Sequence, residues 1–213
     1  MNHSYDEVLA HGSLVAMGEE TTPCPEAEAA LRSLMRGNGQ YLEHGRNLTE
    51  LTDLIRLHTA HHGQHPFAAV VCCSDSRVPP EHIFNAGIGD LFVIRNAGNV
   101  MTPAALGSVE YAVAHLHVPL VLVMGHRGCG AVVAALQKHK ESGALGDLIA
   151  EVEVGIGHAH DPRQAERNNL CHSLETLGES ETLRSLADEG KAAFAGAIYD
   201  IRSGAVELLL KED

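Results

Sequence analysis

Basic residues are scarce in this chain. Fifteen Lys and Arg stand against 28 Asp and Glu, a formal charge of −13 over 213 residues. A surface of that sign repels phosphate backbones and anionic headgroups, so nucleic acid and anionic membranes are not expected partners. A small substrate reaching a locally positive pocket is still compatible with it. No apolar run approaches the ~20 residues of a membrane span. The opening stretch, MNHSYDEVLAHG, lacks both the basic start and the apolar core of a secretory signal, and the cytoplasm is the expected location. The five cysteines (24, 72, 73, 129 and 171) are odd in number and irregular in spacing. With no export signal they do not read as a disulfide framework, and metal or catalytic roles become the better reading. There is no internal repeat and no low-complexity linker. The length suits one sizeable core and not two full domains. A hydrophobic content of 45% with mean hydropathy −0.05 is that of an ordinary soluble globular protein.

The chain is organised around residues 68–77, AAVVCCSDSR, answered by HRGC at 126–129. The first reads as a buried strand over 67–73 running into a polar tip with Cys73, Asp75 and Arg77. The second follows the apolar run PLVLVMG, a strand over 120–124, and puts His126 and Cys129 just past its end. Between them, residues 90–95 read as a strand followed by a turn, NAGN. A helix is expected over 102–116, with Thr102 as N-cap and Pro103 at its first position. PEHIF is one further helical turn. A helix opens at Ala131 and runs to Lys140; 143–157 is helical, GHAHDPRQ a loop with His158 and His160 facing solvent. Helices over 169–177 and 180–189, a strand over 191–199, a turn and an antiparallel edge strand over 206–210 complete the core. Upstream, residues 1–23 read as a short helix or mobile arm. A helix from Pro25 is ended by Gly37-Asn38-Gly39, and another covers 48–61. The whole is an α/β fold with a mainly parallel sheet and one antiparallel edge strand, a helical arm at 1–62 and the α/β core at 63–213. Ligands of such sheets gather at the carboxyl ends of the strands.

Two parallel strands that finish side by side would bring Cys73, His126 and Cys129 together. Two thiolates and an imidazole form a soft tetrahedral set with one position unfilled, which suits a catalytic zinc ion better than a structural one. The alternative is two core cysteines, which leaves the adjoining His126 and Asp-x-Arg unexplained. Asp75 and Arg77 stand two apart, so a tight loop can point both inward and the guanidinium can hold the carboxylate bidentately. So held, Asp75 would accept a proton from the metal's water instead of binding the metal. Zinc lowers the pKa of bound water to about 7, which makes hydroxide available for addition to a small electrophilic carbon. Cys72 faces the opposite side of its strand and reads as a buried apolar residue. Cys24 and Cys171 read as free thiols. His58, His61, His62 and His65 could chelate a metal from one helix face, but a solvated helix end is the better reading.

These residues resemble a family. CSDSR at 73–77, GDLFVIRNAGN at 89–99, EYAVAHL at 110–116, GHRGCGAV at 125–132 and GAIYDIRSG at 196–204 are similar, in order, to the motifs of β-class carbonic anhydrases. The resemblance implies zinc bound by Cys73, His126 and Cys129, an Asp75–Arg77 catalytic dyad, and reversible hydration of carbon dioxide to bicarbonate and a proton. It implies further roles: Gln64 as a hydrogen-bond partner of substrate, Phe92 and Tyr111 as walls of the carbon dioxide pocket, and His115 as a proton carrier to buffer. Phe92 and Tyr111 could equally be plain core residues. It also implies a homodimer or higher homo-oligomer whose N-terminal helices embrace the partner.

The chain departs from the family's pattern after Gly37-Asn38, over residues 141–168, and in HRGC, which puts Arg127 near the site. Relatives on the same scaffold that hydrolyse carbonyl sulfide or carbon disulfide are the enzymatic alternative, and a non-catalytic zinc or bicarbonate binder is the other. In one subclass the Asp closes onto zinc, aided by bicarbonate in a second pocket that includes a tryptophan. Val70 stands at that position and the chain contains no Trp. Arg95 and Tyr199 match other parts of that pocket. The expectation is an open site, with Asp75 held by Arg77.

Overall fold

The computed structural model describes residues 22–45, 52–138 and 140–209. The elements run α1 (Pro25–His44), α2 (Asp53–His62), β1 (Ala68–Cys73), α3 (Pro80–Ile83), β2 (Leu91–Asn96), a 3-10 turn (Ala97–Asn99), α4 (Pro103–Leu116), β3 (Leu120–His126), α5 (Gly130–Leu136), α6 (Gly143–Ile156), α7 (Pro162–Glu179), α8 (Glu181–Asp188), β4 (Ala193–Tyr199) and β5 (Val206–Leu208). The strands form one sheet in the order β2-β1-β3-β4-β5. The pairings β1–β2, β1–β3 and β3–β4 are parallel, and β5 returns antiparallel to β4. This is the expected α/β architecture with its antiparallel edge.

Every residue of β1 and of β3 is buried, which is why both read as unbroken apolar runs. Their side chains alternate between two layers. Ala68, Val70, Cys72, Leu120, Leu122 and Met124 meet Ala27, Ala30, Leu31, Leu34 and Met35 of α1. On the other face Ala69, Val71, Val121 and Val123 meet Val109 and Val113 of α4 and Leu170, Leu174 and Leu177 of α7. Burial pushes the Cys72 thiol up to about 12, so it is inert and apolar as expected. A third cluster forms over the strand tips, where Cys73 and Cys129 pack with Val132 of α5, Ile149 and Val152 of α6, and Ala165 of α7. The sheet order reverses between β1 and β3, and the crevice outside their carboxyl ends is where ligands of open α/β sheets sit.

Several boundaries differ from the sequence expectation, each for an identifiable reason. Helix α1 does not stop at Gly37-Asn38-Gly39. It continues to His44 and ends at Gly45, in the left-handed region at φ 65°, whose N–H caps the Tyr41 carbonyl. Gly37 is there for space: a Cβ on it would overlap the Phe84 carbonyl oxygen, far inside van der Waals contact. Asn38 is buried, donates to the carbonyls of Ile83 and Gly204, and accepts from the Val206 N–H. Helix α7 starts at Pro162 and not at 169, because Asp161 is an N-cap that accepts from the Gln164 N–H and Pro162 takes the first position. What reads as a loop is a helix start. Strand β3 extends to His126, and α5 ends at Leu136. Helix α4 begins as expected, with Thr102 Oγ1 accepting from the Ala105 N–H at 3.3 Å.

Within the expected arm at 1–62, the two described helices differ. Helix α1 is part of the core, whereas α2 buries none of its residues. Its histidines are exposed, with His58 and His62 stacked on each other. The expectations for residues 1–21, for 48–51, for His139 and for Leu210 lie outside the described residues.

Candidate metal centre

Cys73 ends β1, His126 ends β3, and Cys129 caps the start of α5. Because β1 and β3 are parallel neighbours, their carboxyl ends deliver Cys73 and His126 to one spot, and the two-residue turn Arg127-Gly128 brings Cys129 back to it. All three are buried, and their ligand atoms lie within 4.8 Å of one another, the group of this kind found among the described residues.

Three observations test whether this group fits zinc. The two sulfurs are 4.0 Å apart, close to the separation of about 3.8 Å that tetrahedral Zn–S bonds of about 2.3 Å impose. His126 Nδ1 lies 3.1 Å from the Arg127 carbonyl oxygen, an acceptor only, so the proton sits on Nδ1 and Nε2 carries the lone pair. That Nε2 is buried without a hydrogen-bond partner, as an unfilled ligand position would be. The sulfurs are prepared as well. The Cys129 thiol beside it, then His126 and the backbone N–H groups of Asp75 and Gly98, hold Cys73 well below the usual thiol range. Cys129 is pushed up by its contact with that same thiolate and by burial. Two thiolates this close repel, and a dication between them is what removes the cost of ionising both. The residues present fit zinc.

Asp75 leans over this group, with Oδ2 at 4.0 Å from His126 Nε2. Arg77 grips it from the solvent side: Nε donates to Oδ1 at 2.9 Å, Nη2 to Oδ2 at 2.6 Å, and the Arg77 backbone N–H to Oδ1 at 2.9 Å. The Arg77 guanidinium holds the Asp75 carboxyl well below the usual carboxylate range.

The remaining expected site residues fall elsewhere. Gln64 is exposed on the connection from α2 to β1. Phe92 of β2, Tyr111 and His115 of α4 form a separate strip, with successive ring centroids 6.2 Å and 5.3 Å apart. Tyr111 is 48% exposed, so it is not a core residue of this chain. Arg127, expected near the site, stands in the turn directly after His126. Its Nη1 donates to Glu166 at 3.0 Å, behind the turn. A cavity of about 740 Å³ between α5 and α6, lined by Leu136, Ile149, Ile156 and His158 among others, shares no residue with the metal group.

The contacts that support the site were missed by sequence reasoning, which named Arg95 only as a match to a second pocket and Gly98 only as part of a motif. Arg95 donates to the carbonyls of Cys73 and Asp75 and so fixes the polar tip of β1. Gly98 sits at φ 74° with its N–H on Cys73 Sγ, and a Cβ there would lie 3.0 Å from Val152 and 3.2 Å from Ala131. Asn169 and Ser173 of α7 hold the carbonyls of Gly98 and Asn99. The one available signal is the polar spacing along a helix whose start reads as a loop.

Residues 68–206 match the family model described as Carbonic anhydrase. A carbonic anhydrase of Mycolicibacterium smegmatis is 36% identical over 190 residues, covering 84% of this chain and 92% of that protein. Carbonic anhydrase 2 of Mycobacterium tuberculosis is 37% identical over 152 residues, covering 67% and 73%. Among solved structures, one of two tetrameric β-carbonic anhydrases of Sordaria macrospora superposes with a TM-score of 0.66 at 25% identity, covering 85% of this chain and 95% of that one. A parallel sheet with a buried Cys-His-Cys group at its switch point, together with these likenesses, places the chain in the carbonic anhydrase family, in its β class of zinc enzymes.

Proposed function

We propose that this chain catalyses the reversible hydration of carbon dioxide to bicarbonate and a proton, with Cys73, His126 and Cys129 as the zinc ligands and Asp75–Arg77 as the acid–base dyad. One observation carries the reading: the unpartnered Nε2 of His126 faces a carboxylate oxygen that is 4.0 Å away and held by arginine. Zinc, when bound, supplies a Lewis acid that brings the pKa of a bound water to about 7. Asp75 then accepts a proton at Oδ2, and its Arg77 partner keeps it ionised and turned away from acting as a ligand itself. Gln64 would hydrogen-bond the substrate, Phe92 and Tyr111 would wall its apolar approach, and His115, exposed at the end of their strip, would pass protons to buffer.

The chain would act as a homodimer or higher homo-oligomer. Helix α2 buries nothing, and Leu54 and Leu57 on it are 78% and 46% exposed, an apolar surface that a second copy would cover. We assign it to the cytoplasm on the sequence reading; among the described residues no helix is long and apolar enough to cross a membrane.

Metal analysis coupled to stopped-flow hydration tests the proposal, with carbonyl sulfide turnover measured on the same preparation. One zinc per chain and preferential carbon dioxide hydration are expected. Bound zinc with negligible hydration would make the protein a binder, and faster carbonyl sulfide turnover would make it a hydrolase.

A further inference from the structure

Helix α7 carries Glu166, Asn169 and Ser173 on one face, and all three are buried. A helix packed on a sheet ordinarily fills such positions with apolar residues, as Leu170, Leu174 and Leu177 do beside them. A carboxylate with 4% of its side chain exposed needs strong partners to remain charged. Glu166 finds both of them in the turn between two zinc ligands. Its Oε1 accepts from the Gly128 N–H at 2.7 Å, and its Oε2 accepts from Arg127 Nη1 at 3.0 Å.

The Gly128 N–H and the Arg127 carbonyl belong to one peptide unit. That carbonyl is the acceptor for His126 Nδ1–H at 3.1 Å. A carboxylate on one end of a peptide polarises it and strengthens the acceptor at the other end. Carboxylate, peptide and imidazole therefore form a continuous chain that ends at the Nε2 lone pair. On the other side of the site Asn169 Nδ2 donates to the Gly98 carbonyl at 2.8 Å, and the Gly98 N–H meets Cys73 Sγ at 3.4 Å.

We propose that Glu166 is a positioning residue of the zinc centre, which sets the orientation and basicity of His126 through the Arg127–Gly128 peptide. Asn169 acts less directly: it holds the Gly98 carbonyl, and so steadies the residue whose N–H, in the preceding peptide, meets Cys73 Sγ. The inference rests on Cys73, His126 and Cys129 being the zinc ligands. A merely structural Glu166 would anchor α7 to the sheet and leave the metal's surroundings untouched.

The test uses the full chain loaded with zinc or cobalt(II). It measures zinc release to a chelator and the cobalt ligand-field spectrum, with circular dichroism as the check on folding. Partners in this second layer typically contribute ~10- to 100-fold in metal affinity, so Glu166→Ala should release zinc faster by about that factor and shift the cobalt bands. Glu166→Gln keeps an acceptor for the Gly128 N–H but loses the charge, and should fall between alanine and parent. A folded Glu166→Ala with the parent's release rate and spectrum would overturn the proposal. Should the alanine variant not fold, Glu166→Gln decides alone, and a parent-like release rate and spectrum would overturn it. Parent protein that holds no zinc would instead overturn the ligand reading, and this inference with it.

Discussion

Asp75 is gripped by three donors from a single residue, Arg77, and in the proposed mechanism that grip is what separates proton transfer from metal binding. An amide at this position keeps the shape but cannot take a proton. Asp75→Asn is therefore expected to retain zinc and lose hydration by about 10²-fold or more, read by stopped flow beside metal analysis. A parent-like rate would remove Asp75 from the mechanism. Cys73→Ser and Cys129→Ser should lose the zinc itself, since the thiolates supply the charge that balances the dication, and full zinc content in both would contradict the ligand set. Arg95 matches part of the second bicarbonate pocket that the resemblance implies for one subclass. Its guanidinium is engaged with the carbonyls of Cys73 and Asp75, and Val70, fully buried, has no donor to offer. The site should therefore show no cooperative inhibition by bicarbonate in a pH series of hydration rates, and a steep cooperative loss of activity would refute this.

At the level of elements, α1 shows how tertiary contact can overrule local propensity. Replacing a mid-helix glycine by alanine usually stabilises by about 1 kcal/mol. At Gly37 the added carbon would run into the Phe84 carbonyl, and overpacking of this kind costs about 1–3 kcal/mol. Gly37→Ala should therefore lower the melting temperature, and a rise would mean that α3 can move aside. The same contact explains why the helix seems to end there in sequence: Gly-Asn-Gly is the spelling of a turn, and only the position of α3 reveals it as a place of close approach. The ligand motifs are legible because Cys-x-Asp-x-Arg and His-x-x-Cys are local, and strand ends deliver them with little help. The layer behind them is not legible. Glu166 and Asn169 reach the site from a distant helix and nothing in their spacing marks them, while Arg95 and Gly98 stand in the motif GDLFVIRNAGN, which does not disclose their contacts with Cys73. Helix α7 also reads short in sequence, because Asp161-Pro162 looks like a loop until its capping bond to Gln164 is seen.

For the molecule as a whole, among the described residues both faces of the sheet are covered and what is left open is its edge. One face is closed by α1 and the other by α4, α7 and α8, while β2 at the edge stays half-exposed and α2 stands clear of the core. Changing Leu54 and Leu57 together to Lys should shift the protein to monomer in sedimentation with little change in helix content. An assembly that survives both changes would locate the contact elsewhere. A last consequence follows from the separation along the chain of the parts that meet at the metal. Cys73 and Cys129 lie 56 residues apart, and the carbonyl that Ser173 holds is 74 residues upstream of it. During synthesis all three ligands leave the ribosome well before Glu166, Asn169 and Ser173 do. A nascent chain in that interval could touch zinc but would lack the groups that keep it, so firm retention of the ion belongs to a chain from which helix α7 has already emerged.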